Sequence, residues 1–281
     1  MGEDVLDPKA MGVVYGLWDE LAAFSTNAAK TPDAALVHLL ETLVKWTGAE
    51  NAQWVAAVRV MRGAAVKHDP MRGWRLRAEH LLIPNPDFMN KPIAWLFDRS
   101  KRLDPAALDP DLHIGMPTRT LVAGAGKFQI HRLRDGWIDF AAFQRTNHYQ
   151  CHYREIGITD RIWASFPLNA DTESVFVFDR YRTRRRFSGR DAALIGVALR
   201  GIREFHRRLF LGHGLLIGEA PLTPLQRKVV RGLLSEMTEK ELAQEMGQQP
   251  RTLHKYITSL YARFGVQGRA GLMAMWLGHQ G

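Results

Sequence analysis

Five side chains near the C-terminus, Arg251, Thr252, His254, Lys255 and Thr258, crowd hydrogen-bond donors into a short stretch. If the stretch is helical, Arg251, His254, Lys255 and Thr258 share one arc, because residues three and four apart stack on the same face. Such an arc reaches phosphate oxygens and base edges when a helix enters the groove of a nucleic-acid duplex. A merely solvated helix face has the same composition, so the neighbouring elements must decide between the two.

Other residue groups carry chemistry of their own. His148 and His152 lie four apart with Cys151 between them, which would turn both imidazoles toward one metal ion on a helix; no third ligand stands nearby, so the expectation is no metal. The bland reading is a solvated or hydrogen-bonded helix turn. Cys151 is the single cysteine, which rules out an internal disulfide and leaves a redox-sensing thiol or a small buried hydrophobe as its readings. Arg180, Arg182, Arg184, Arg185, Arg186 and Arg190 form a cluster that repels itself unless an anion, an acidic patch or water lies against it. Gly124-Ala125-Gly126-Lys127 has half the glycines of a phosphate loop and no Ser or Thr after the lysine, so it reads as a turn. Trp54 and Trp74, with Asp69 near them, are the candidate ligand-binding residues, core packing being the alternative. No complete nucleophile, metal or nucleotide motif is present, and a chain without enzyme activity or cofactor is expected.

The elements that would position the donor arc are marked by caps. Thr223 before Pro224, with Gln226 three residues on, begins a helix whose buried side is Val229, Val230, Leu233 and Leu234. Thr238 with Glu241 begins a second, short helix bearing Leu242, Ala243 and Met246, and Gly247 ends it. Pro250 begins a third that runs to Phe264, with Leu253, Ile257, Leu260 and Phe264, and Tyr256 beside them, on the side toward the core. Short helix, glycine turn, longer helix is the order of a helix-turn-helix.

Further upstream, three- and four-residue apolar steps predict helices over 11–29, 33–47, 87–98 and 143–156, and a long one over 191–211. β-formers and alternation predict strands over 53–60, 74–82, 127–133 and 174–181. The expected organisation is an α+β sensor or dimerisation domain over 1–211, a glycine-bearing linker over 212–220, and an all-α four-helix domain over 221–281.

The string Leu222-Thr223-Pro224, Thr238-Glu239-Lys240-Glu241-Leu242-Ala243, Thr252-Leu253, Arg263-Phe264-Gly265-Val266 and Arg269-Ala270 resembles, in order and spacing, the DNA-binding domain of the LuxR-type regulators. The resemblance covers 221–277. It implies four helices, the third reading the DNA groove through His254, Lys255 and Thr258, the fourth pairing two protomers. The chain departs from the family pattern at Gln226, Glu236, Gln249 and Tyr256, and His254 replaces a fixed cation with an imidazole that is neutral for much of the time at neutral pH. The upstream region resembles the GAF or PAS type of sensor in architecture. It lacks the acidic pair of a phospho-receiver. An acyl-homoserine-lactone sensor is the alternative, for which Trp54, Asp69 and Trp74 lack a matching tyrosine; an enzyme domain fused to a DNA-binding tail, with His148 and His152 or the 124–127 turn in its site, is the rival from another class.

A net charge of +9 suits a polyanion partner, and 221–281 hold eight Lys or Arg against four Glu. The expected partners are double-stranded DNA, a small-molecule effector and a second copy of the chain. The acidic opening without an apolar run, and the absence of any membrane-length apolar stretch, make the expected location cytoplasmic.

Overall fold

Pairs of β-formers at Trp54–Val55 and Val175–Phe178 lie at the centre of an antiparallel sheet in the computed structural model, which describes residues 6–26, 31–60, 62–84, 114–215 and 222–276. The sheet comprises β1 (Asn51–Arg59), β2 (Trp74–Leu81), β3 (Gln129–Arg132), β4 (Ile158–Asn169) and β5 (Thr172–Tyr181), in the order β2-β1-β5-β4-β3. Four of these fall on predicted strands. β4 does not, and the reason is burial: Ile162, Trp163, Ala164, Ser165 and Phe166 are all buried, so the strand is covered on both faces and shows no polar alternation.

Register divides the sheet residues between two faces. Trp54 sits opposite Phe176 and, with Phe178, Ile162, Ala164 and Phe166, belongs to one face. This face meets α1 (Pro8–Thr26), α2 (Pro32–Thr47) and α6 (Gly189–Arg200), which pack on one another and, through α2 and α6, on the strands. The other face carries Val55, Ala57, Trp74, Trp163, Val175 and Val177 in a cluster with Ile114, Leu121, Phe143, Tyr153 and Ile156. Leu121 comes from α3 (Gly115–Ala123) and Phe143 from α4 (Phe140–Gln144). A short α5 (Asn147–Tyr149) widens into a π-turn at Gln150–Arg154, so the helix predicted over 143–156 is broken where Thr146 caps anew by accepting from Tyr149 N. The helix predicted over 87–98 lies outside the described residues.

The helix predicted over 191–211 is two helices, α6 and α7 (Arg203–His213). The break has a chemical cause. Trp18 Nε1 donates to Ala198 O at 2.9 Å and a ring nitrogen of His206 lies 2.9 Å from Leu199 O, so side chains occupy the carbonyls that a continuous helix would offer to the amides of residues 202 and 203. At Gly201 a Cβ would meet the Trp18 ring at 2.1 Å, and only glycine admits the indole there.

The chain divides into two units, Met1–His206 and Arg207–Gly281. The division falls within α7, upstream of the expected linker, and 216–221 lie outside the described residues. Unit 1 is α+β. Unit 2 is helical: α8 (Pro224–Leu233), α9 (Glu239–Glu245), α10 (Pro250–Phe264) and α11 (Arg269–Trp276) surround Leu222, Val229, Val230, Leu233, Leu242, Leu253, Ile257, Leu260, Phe264 and Leu272. Burying each such side chain contributes about 1.5–3 kcal/mol. Among the described residues no helix is long and apolar enough to cross a membrane.

Candidate functional site

Unit 2 is built from its caps. Thr223 accepts from Gln226 N at 3.2 Å while the Gln226 side chain accepts from Thr223 N, and Thr238 and Glu241 reciprocate in the same way at the start of α9. The hydrogen bonds from the Thr238 backbone and hydroxyl hold the Glu241 carboxyl below its usual range. Gly247, at φ 60°, turns the chain between α9 and α10 in a conformation that a residue with a Cβ adopts only under strain.

On α10 the buried stripe Leu253, Ile257, Leu260 and Phe264 fixes the rotation of the helix, and Arg251, Thr252, His254, Lys255 and Thr258 are all exposed on the rest of its surface. The imidazole Nδ1 of His254 lies 3.0 Å from a carboxylate oxygen of Glu239 on α9, and Thr258 Oγ1 bonds back to His254 O at 2.9 Å. Tyr256, placed by its sequence position beside the core stripe, is instead 38% exposed. It sits one residue before Ile257, and the 100° step of the helix carries it out of the stripe.

Arg269, at the start of α11, holds this arrangement together. Its guanidinium donates to Leu233 O and Met237 O, each at 2.7 Å, and to Ser235 O, satisfying carbonyls that the end of α8 leaves open. Sequence position alone presents Arg269 as one more surface cation.

In unit 1 the structure separates the two candidate ligand-binding tryptophans. Trp54 faces the helices and donates from Nε1 to Ser174 Oγ at 2.9 Å; that oxygen in turn lies 3.0 Å from His206 Nδ1. Trp74 is on the opposite face with Arg59 over its ring at 4.7 Å. The two tryptophans therefore do not line one pocket. Asp69 is spent on its own neighbourhood, accepting from Met71 N, Gly73 N and Arg75 Nη1 at 2.7–3.0 Å. His206 is fully buried, and burial brings its imidazole down to about 4, so the ring is neutral.

The Trp74 face bears a polar set that sequence reading missed. Arg161 on β4 grips Asp179 on β5 through Nε and through Nη2 at 2.8 Å, and its Nη1 donates to Tyr153 Oη at 3.1 Å. Burial, helped by the Asp179 charge and opposed by the Arg161 guanidinium, pushes the Tyr153 hydroxyl up to about 12. Gln53 Nε2 donates to Glu79 at 3.1 Å, and burial raises the Glu79 carboxyl. A cleft lined by Gln53, Leu81, Ile156, Ile158, Arg161, Asp179 and Tyr181 opens here. The only sequence signal was single polar residues inside apolar strands.

His148 and His152 are buried, with ring centroids 4.7 Å apart, rather than on a solvated turn, and among the described residues no group of three or more His, Cys, Asp or Glu is placed to hold a metal. At the 124–127 turn Gly126 N donates to Glu173 Oε1 at 2.5 Å, so a carboxylate stands where a phosphate would sit.

No family model matches the chain. A probable HTH-type transcriptional regulator, GfsR of Streptomyces halstedii, is 33% identical over 60 residues, which is 21% of this chain; the chain thus spans about a quarter of that relative, 25% of its length. Among solved structures, Escherichia coli SdiA matches at a TM-score of 0.39 and 11% identity over 94% of this chain and 98% of that one. The VqsR LBD domain of Pseudomonas aeruginosa matches at 0.43 and 14% identity over 70% and 98%.

Proposed function

We propose that the chain is a DNA-binding transcriptional regulator in which unit 2 acts as a LuxR-type helix-turn-helix and α10 enters the major groove. The observation that carries the reading is the division of α10: a buried apolar stripe that fixes its orientation, and opposite it Arg251, Thr252, His254, Lys255 and Thr258, all exposed. The 60-residue similarity to a probable HTH-type regulator supports it. Lys255 and Arg251 supply cationic donors to phosphate and base edges, Thr258 a neutral donor and acceptor. Glu239 orients His254 and places a negative charge beside it. α11, with Met273 40% exposed, is the surface for a second copy, so that two α10 helices meet two half-sites.

Unit 1 in this reading is the sensor or dimerisation domain. Binding of the full chain to fragments upstream of its own coding region, titrated in salt with and without a small-molecule extract of its host, tests the reading. Sequence-preferring binding that shifts with extract is the expected result; binding without sequence preference at every salt concentration would overturn it.

A further inference from the structure

Six arginines lie between positions 180 and 190, and the structure gives them unequal roles. Arg180 is buried, donates from Nη2 to Thr47 O at 2.5 Å and lies over the Phe187 ring at 4.1 Å. Arg190 pairs with Asp7 at 2.6 Å, and the Arg182 side chain packs on Gly157. Arg184, Arg185 and Arg186 are exposed and make no ion pair with a carboxylate among the described residues. The Arg185 guanidinium lies near Gly48 at the C-terminal end of α2, where the helix is electronegative. The carboxylates close in sequence or space are already engaged: Asp160 accepts from Phe187 N at 2.7 Å, Asp191 from Ser188 N at 2.8 Å, and Glu50 from Tyr181 N at 2.6 Å.

The loop that displays these three guanidinium groups is held at both ends. Arg182 N donates to Gly157 O at 2.8 Å with Arg182 at φ 46°, a left-handed conformation that a side-chain-bearing residue keeps only when its surroundings impose it. At the other end Phe187 is buried, its carbonyl receives Arg132 Nη1 at 3.2 Å, and Ser188 and Asp191 close a capping box on α6. Three adjacent like charges therefore stand on a short loop that is anchored at both ends.

We propose that Arg184, Arg185 and Arg186 form a second, sequence-independent contact with the phosphodiester backbone of duplex DNA, separate from the α10 face. The inference rests on the DNA-binding reading of unit 2, since the duplex is the polyanion the chain then meets. Arginine suits the role because its planar fork takes two phosphate oxygens at once and is weakly hydrated. The contact adds affinity and salt dependence without reading bases.

The test is the salt dependence of binding of the full chain to a duplex of random sequence, compared with the variant R184Q/R185Q/R186Q. Each phosphate contact contributes about 0.9 to the slope of log affinity against log salt, so the variant loses about two to three from that slope. The variant R184K/R185K/R186K keeps it, which separates charge from side-chain packing, and single Arg184→Gln and Arg186→Gln variants each lose about one. An unchanged slope in a glutamine variant that still binds through α10 would overturn this proposal alone. Failure of the unaltered chain to bind any duplex would overturn the reading of unit 2 and this proposal with it.

Discussion

The two units put their polar residues in opposite places. Unit 2 surrounds an apolar core and leaves Arg251, Lys255 and Thr258 exposed on α10. Unit 1 carries Glu79, Arg161, Glu173, Asp179 and His206 inside or at the edge of its core, each bonded to another part of the sheet. The exposed donors of α10 are, in the proposed reading, the groups left for recognition. The buried polar groups of unit 1, unlike its exposed Arg184, Arg185 and Arg186, are committed to one arrangement of the strands, and anything that competes for them acts on the whole sheet.

The contrast can be broken most forcefully at Arg161. Arg161→Ala leaves the Asp179 carboxylate buried without its partner and should cost about 3–5 kcal/mol in urea denaturation of unit 1, whereas replacing both residues with leucine should cost far less. An equal loss in both variants would mean that the pair contributes by packing. The next largest effect is a pH dependence. The folded His206 imidazole titrates at about 4, below its ordinary value, so the unfolded chain binds a proton first. Stability from this group is complete above the unfolded value and declines as pH falls toward 4, by roughly 3 kcal/mol in all. His206→Phe should flatten that part of the stability curve. In unit 2 the corresponding test is Arg269→Ala, expected to cost about 1.5–3 kcal/mol through the carbonyls it leaves at the end of α8.

Legibility from sequence followed the same division. In unit 2 three of the four helix starts are local: Thr223, Pro224 and Gln226, then Thr238 and Glu241, then Pro250 announce themselves within four residues, and α8, α9 and α10 begin at them. Tyr256 was misplaced because its position on the wheel borders the stripe. In unit 1 the decisive contacts are between residues distant in the chain. Trp18, 180 residues from Ala198, takes one carbonyl of the helix predicted over 191–211, His206 within the segment takes the next, and the sequence marks the break only by Gly201. The strand β4 hid because both its faces are buried, and Trp54 and Trp74 looked like partners because sequence proximity says nothing about which side of a sheet each occupies. The Arg161–Asp179 pair joins two adjacent strands and could be found only once their register was known.

The measurement that tests the central claim most directly is the affinity of the Lys255→Ala/Thr258→Ala variant for a DNA site that the unaltered chain prefers, measured beside its thermal stability. Both residues are exposed on α10 outside the buried stripe, so folding should change by no more than about 0.5 kcal/mol. Each lost contact should weaken specific binding by about 1–3 kcal/mol. Undiminished preference for that site in a folded variant would contradict the placement of α10 in the groove.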